Sequence, residues 1–208
     1  MSEIIQGSPE WFAQRLGRVT ASRVSDIIAK TKTGVSASRA NYLAQLVAER
    51  LTGQAAETFK SGAMQHGTET EPMARMAYEA ETGLMVTEVA MIQHGTIEMA
   101  GASPDGLVGE DGLVEIKCPN TSTHIATLMA DKAPSGYIPQ MQWQMACTGR
   151  AWCDFVSFDP RMPEDMQLFI KRVPRDNALI AEYEAEVIKF LAEVQETVDK
   201  LVALRRSA

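Results

Sequence analysis

The sequence predicts an α/β fold, a central mixed β-sheet flanked by helices and followed by one long C-terminal helix. Three observations predict it. Short apolar runs near 85–93, 97–103, 112–117, 151–158 and 166–173 have strand length. Between and before them, apolar residues recur every three or four positions near 9–16, 21–29, 37–52, 122–130 and from Gln140 to about 147, as on one face of a helix. Finally, 208 residues with 45% hydrophobic content can bury one full core, so 1–208 reads as a single domain.

The first helix opens at Ser8-Pro9-Glu10, with a capping serine, a proline at the first helical position and an acidic first turn, and Gly17 is placed to end it. Thr20 then caps a second helix running through Ala21, Ser22 and Val24 to Ile28. Helix starts present free backbone N–H groups and a positive dipole end, so an anion near Thr20 to Ser22 with Arg15 alongside is chemically reasonable. The ordinary alternative is a surface ion pair for Arg15 and a first-turn capping role for Ser22. Gly67 to Glu79 reads as a helix with Met73, Ala77 and Ala80 on its apolar stripe. Pro72 suits the first turn of its main run, which leaves Glu71 one turn from the start and able to point into a cleft. Taken by itself, Glu71 is an ordinary solvated helix residue.

The most informative stretch is Ser103 to Lys117. Leu113-Val114-Glu115-Ile116-Lys117 is a short strand whose alternation points Glu115 and Lys117 to one face and Ile116 toward the core. Asp105 follows Pro104 just ahead of Gly106, at the start of a hairpin whose Gly109-Glu110-Asp111-Gly112 turn brings the two runs side by side. Two carboxylates held together resist joint ionisation unless a divalent cation sits between them. Mg²⁺ suits such a place, because it takes oxygen ligands and keeps positions open for water and phosphate oxygens. Lys117 would stand beside it as a point charge able to orient or deprotonate a water, which is the chemistry of phosphodiester cleavage. A lone E-x-K is more often an ordinary surface pair, so further features have to support it.

One of these is the helix from Gly136 onward, whose Met141, Trp143 and Met145 suit a half-buried face. Gln140 and Gln144 lie one turn apart on one face of it. A glutamine donates to phosphate or water without adding charge. Charge along the chain is a second. Residues 1–60 carry eight Lys/Arg against five Asp/Glu, 61–120 two against ten, and 121–208 ten against twelve, which sums to the net −7. So acidic a chain argues against loose coating of DNA by counterion displacement, yet it separates a basic lining from an acidic pocket. No apolar run approaches a membrane span and no leader pattern precedes residue 20, so the cytoplasm of a bacterial or phage-infected cell is the expected compartment. Cys118, Cys147 and Cys153 are expected to be reduced packing residues, with zinc disfavoured by their spacing. From Asn177 to Arg206, Leu179, Ile180, Tyr183, Val187, Phe190, Leu191, Val194, Val198, Leu201 and Val202 mark the long amphipathic helix.

In their order, these elements resemble the lambda-exonuclease-like, YqaJ-type viral recombinase family, a branch of the PD-(D/E)XK nuclease superfamily. The resemblance runs from about Pro9 to Asp159. Its densest parts are Arg15-Leu16-Gly17 with Thr20-Ala21-Ser22, the Gly67-x-x-x-Glu71 helix, Ser103-Pro104-Asp105-Gly106-Leu107, Glu115-Ile116-Lys117-Cys118-Pro119, and Gln140-x-Gln142. The resemblance implies a PD-(D/E)XK restriction-endonuclease-like core. It makes Asp105, Glu115 and the carbonyl of Ile116 metal ligands, adds Glu71 as the acidic residue of the preceding helix, and makes Lys117 the catalytic lysine and Gln140 the active-site glutamine. It assigns the 5′-phosphate to Arg15 and Ser22, with Thr20 beside them. Lys32 takes a position where the family carries arginine, so bidentate phosphate contact is lost there.

The same resemblance implies a Mg²⁺ cofactor, with Mn²⁺ able to substitute. The expected reaction is 5′→3′ digestion of one strand of linear double-stranded DNA from a 5′-phosphorylated end, yielding mononucleotides and a 3′ single strand. A homotrimeric ring around the DNA, a single-strand annealing protein as partner and a role in phage-type homologous recombination go with it. A ring would give processivity by topology to a chain too acidic to hold DNA by charge. Two other readings remain open from the residues, a restriction-like or repair endonuclease of the same fold and a catalytically inactive DNA-end-binding protein. Intact Asp105, Glu115 and Lys117 argue against the last.

Overall fold

The computed structural model describes residues 6–31, 34–56 and 62–206. The N-terminal part comprises α1 (Pro9–Arg15), β1 (Val19–Thr20), a 3-10 turn (Ala21–Arg23), α2 (Val24–Ile28), the small β2–β3 pair (Lys30–Thr31 and Gly34–Val35), α3 (Ala37–Thr52) and α4 (Gly62–Thr82). There follow β4 (Val86–Thr87), β5 (Ile92–Gln93), β6 (Ala100–Ala102), β7 (Gly106–Val108) and β8 (Gly112–Lys117). The chain continues through α5 (Thr121–Ala130), α6 (Ile138–Thr148), β9 (Trp152–Phe158), β10 (Leu168–Pro174) and α7 (Asn177–Arg206).

The main sheet has five strands in the order β10-β9-β8-β7-β4, so β8 occupies its middle. Its pairs are antiparallel except β8–β9, which run parallel because α5 and α6 intervene between them. Helices cover both faces. On one, Ala74 and Tyr78 of α4 pack on Val108, Val114, Ile116 and Val156. On the other, Met141 and Met145 of α6 pack on Leu113 and Phe155. Burial on both sides explains why β8 reads as an almost continuous apolar run, and it makes Glu115 as buried as Ile116. A three-stranded sheet, β1-β6-β5, lies apart from the five-stranded one. Val24, Ile27, Tyr42, Leu46, Trp143, Val187 and Phe190 form the core that joins α2, α3, α6 and α7.

Several local expectations hold in detail. Ser8 Oγ accepts the Trp11 N–H at 3.2 Å and so caps α1, and Gly17, at φ +67°, turns the chain out after it. The β7–β8 hairpin forms with Val108 opposite Gly112 and a turn at 109–111.

Others are corrected. The run near 85–93 is two short strands in different sheets, since β4 pairs with β7 while β5 pairs with β6. Pro72 is not in a first turn, because α4 begins at Gly62 and carries the proline inside. An interior proline forgoes one ladder bond, a cost of about 3 kcal/mol that the packing of Ala74 and Tyr78 against the sheet offsets. Thr20 makes no side-chain cap. It precedes the 3-10 turn rather than an α-helix, and α2 is correspondingly short. Lys32 lies outside the described residues.

Candidate active site

Glu115 is the centre of the site. It sits on the α6 face of β8 with no exposed surface, and it is held from three directions. Its Oε1 accepts Gln140 Nε2 at 2.6 Å and is paired with Lys117 Nζ, while its Oε2 accepts Gln144 Nε2 at 2.6 Å. The two glutamines meet one carboxylate because they are one helical turn apart on α6, whose Met141 and Met145 anchor it on the sheet. Alternation along β8 brings Lys117 to the same face, where its ammonium lies 5.2 Å from the centre of the Tyr137 ring.

Asp105 enters from the start of the hairpin. β7 pairs with β8 only as far as Val114, and beyond that point Asp105 Oδ2 accepts the Ile116 N–H at 2.6 Å. The aspartate side chain thus continues the ladder by one rung and is fixed beside the strand that bears Glu115. Burial, and then the charge of Glu115, hold the Asp105 carboxyl well above the usual carboxylate range, with Glu71 adding to the rise and Lys117 opposing it. Burial works to lower the pKa of Lys117, but the charges of Glu115 and Asp105 outweigh it and the pKa is raised, so this lysine is a cation at neutral pH.

Glu71, on α4, is raised first by burial, then lowered by Arg75 and raised by Glu115. Arg75 stands 3.4 Å from Glu71 and 2.5 Å from Glu88. Among the described residues, no three Asp, Glu, His or Cys side chains are gathered as a metal-coordinating cluster, although Glu71 and Glu115 both act on the charge of Asp105. Arg75 engages Glu71, and Lys117 with the two glutamines engages Glu115. By their chemistry Asp105, Glu115 and the Ile116 carbonyl would offer oxygen donors of the kind a hard cation takes. Burial first, and then the charges of Glu115 and Glu71, oppose ionisation of Asp105, and a cation beside it would favour its charged form.

Beside these groups is a cleft of about 160 Å³ lined by Trp11, Arg15, Ser22, Ser103, Asp105 and Gln140. The Arg15 guanidinium lies 4.2 Å over the Trp11 ring and donates to Ser103 Oγ at 3.2 Å; Trp11 Nε1 donates to the same oxygen at 3.1 Å. Burial lowers the pKa of Arg15, as expected for a cation held away from water. The structure therefore brings Arg15 and Ser22 to one cavity with Asp105 and Gln140. Thr20 is not part of it, being buried in β1 with its N–H donating to Tyr42 Oη at 3.2 Å.

Trp11 and Ser103 were not expected in the site. Ser103 lies two residues before Asp105, and Trp11 one helical turn before Arg15, so period and spacing were the available signals.

A mixed sheet covered by α4 and α6, with an aspartate, a glutamate and a lysine at its middle strand, is the core of the PD-(D/E)XK nucleases. Residues 10–151 match the YqaJ-like viral recombinase domain, and the chain belongs to that family. It is similar over 96% of its length to an alkaline exonuclease (LHK-Exo) from Laribacter hongkongensis, with 99% of that chain covered, 56% identity and a TM-score of 0.91. The complex of LHK-Exo with dAMP matches with the same figures. A phage related exonuclease from Haemophilus somnus 129PT shares the fold at 20% identity and a TM-score of 0.67, over 90% of this chain and 96% of that one. No curated protein matches the chain. Among the described residues, no helix is long and apolar enough to cross a membrane.

Proposed function

We propose that this chain is a Mg²⁺-dependent 5′→3′ exonuclease that removes mononucleotides from a 5′-phosphorylated end of linear double-stranded DNA and leaves a 3′ single strand. The observation that carries this reading is the convergence of Asp105, Glu115, Lys117 and Gln140 next to a cleft containing Arg15 and Ser22. The family and the 56% identical alkaline exonuclease support a nuclease of the phage-related exonuclease type. The complex of that relative with dAMP, a mononucleotide, supports a mononucleotide product.

In this reading Asp105, Glu115 and the carbonyl of Ile116 hold Mg²⁺, for which Mn²⁺ can substitute. The bound cation supplies Lewis acidity toward the scissile phosphate and lowers the pKa of a water. Lys117 offers its ammonium to that water or to a non-bridging oxygen. Gln140 lends a neutral donor at the mouth of the cleft. Arg15, partly desolvated and stacked on Trp11, grips the terminal phosphate with Ser22, and so sets which bond lies over the carboxylates. Glu71, the acidic residue of α4, adds negative charge that favours the cation. A homotrimeric ring, a single-strand annealing partner and phage-type recombination in the cytoplasm complete the proposal.

Linear duplexes labelled at either end, with and without 5′-phosphate, test it in Mg²⁺, Ca²⁺ and chelator. Mg²⁺-dependent release of nucleotides from 5′-phosphorylated ends is expected. Equal rates on 5′-hydroxyl ends, release from the 3′ end, or cleavage of covalently closed circles would refute it, the last in favour of an endonuclease. Light scattering tests the ring separately, and a monomer at working concentration removes it.

A further inference from the structure

We infer that Gln144 is a positioning residue for the metal site, anchoring Glu115 by its inner oxygen so that the outer one is free to turn to the cation; this rests on the metal-dependent reading above. The two oxygens of Glu115 have different surroundings. Oε1 is shared by Gln140, which lines the cleft, and Lys117, whose side chain is 27% exposed. Oε2 is held by Gln144, which has no exposed surface, at 2.6 Å. The carboxylate therefore has a cleft side and an interior side. A short bond from an amide to a buried carboxylate is charge-assisted and fixes the side chain that accepts it.

Packing does not account for Gln144. Its own carbonyl oxygen, Oε1, is buried and has no hydrogen-bond partner among the described residues, which costs free energy that an apolar residue of similar volume would avoid. Nor can the amide be turned round, because an amide oxygen would then face a carboxylate oxygen at 2.6 Å. The geometry keeps this side chain for its donor. Gln142, two residues earlier on α6, is different. Its Nε2 donates to the Pro174 carbonyl at 2.8 Å and its Oε1 accepts the Asp176 N–H at 2.8 Å, so both ends of the amide are engaged and it is a strut between α6 and the end of β10.

Lys117 and Gln140 can thus let go of Oε1 when a cation or DNA arrives, while Gln144 keeps the Glu115 rotamer unchanged. Partners of this kind, which orient a ligand without touching the metal, typically alter metal affinity 10–100-fold.

The test is Mn²⁺ titration of the full-length, DNA-free protein by calorimetry or electron paramagnetic resonance, alongside thermal melting in chelator. Gln144→Met is expected to raise the Mn²⁺ Kd by about 10–100-fold. Gln142→Met is expected to lower the melting temperature and leave the Kd within about twofold of the parent. If Gln144→Met does not fold, Gln144→Asn carries the same expectation, because it keeps the amide and withdraws it by one methylene. A Kd unchanged in the Gln144 variants, or one that weakens equally in Gln142→Met, overturns the inference alone. A parent protein that binds no Mn²⁺ overturns the metal-dependent reading as well.

Discussion

Replacing Asp105 with asparagine should make the metal-free protein more stable while making it inactive. The amide oxygen of asparagine can still accept the Ile116 N–H that Asp105 takes at 2.6 Å, so the extra rung of the ladder survives. What disappears is a carboxyl whose folded pKa lies well above its unfolded value, near 3.9, because burial and Glu115 oppose its charge. A carboxyl with a raised folded pKa favours the folded state below the unfolded pKa, and that advantage is lost as pH rises through the folded pKa. The gain from asparagine should therefore be largest at neutral and alkaline pH and vanish toward pH about 4. The relief of a strained functional charge is worth about 1 kcal/mol, which for a chain of this size raises the melting temperature by about 2–4 °C. Thermal melts followed by circular dichroism in chelator, at about pH 8 and about pH 4, give the comparison. Added Mg²⁺ should stabilise the parent and leave Asp105→Asn unmoved. A variant that melts lower than the parent at alkaline pH, or whose gain does not depend on pH, would refute the reasoning.

Lys117→Ala should reduce single-turnover cleavage by at least about 10²–10³-fold while duplex binding in a gel-shift assay is largely retained. Equal loss of both would contradict its assigned role. Arg15→Ala removes a desolvated, charged donor from the cleft, so it should narrow the preference for 5′-phosphorylated over 5′-hydroxyl ends by about 10–100-fold, measured as a ratio of kcat/KM values. Tyr78→Phe deletes the donor to Asp154 Oδ2 at 2.9 Å, while Arg172 still pairs with that aspartate. A loss of about 1 kcal/mol, or about 2–4 °C in melting temperature, is expected, with no change in the Mg²⁺ requirement.

Elements with strong local signals are legible in the sequence. The run Leu113 to Lys117 forms β8, the apolar stripe from Leu179 to Val202 forms α7, and Ser8 caps α1 as its neighbours suggest. The shared face of Glu115 and Lys117 followed from alternation alone, and their ion pair agrees with it. Long-range choices were less legible. Nothing near Val86 or Ile92 says that one pairs with β7 and the other with β6, because a two-residue strand carries too little alternation to name its partner. Pro72 misled in the same way, since local rules place a proline at a helix start and only the sheet beneath α4 carries the helix through it. Within the site, Asp105, Glu115, Lys117, Gln140, Arg15 and Ser22 were nameable. The engagement of Glu71 by Arg75, the burial of Thr20 and the double grip of Gln140 and Gln144 on Glu115 all depend on which faces the helices turn inward.

The middle position of β8 divides the protein's tolerance of change. Of the residues proposed to hold a DNA end, Arg15 rides on α1, seven residues long, and Ser22 on the short segment after the two-residue β1. With no buried residue of its own, α1 unfastens at low free energy, whereas a strand with neighbours on both sides and helices on both faces opens only when everything else does. Warming or mild denaturant should blunt the choice of end well before it disarms the cutting centre. By the same division, selection or engineering can retune which ends are accepted by rebuilding the rim, with the hydrolytic centre left untouched.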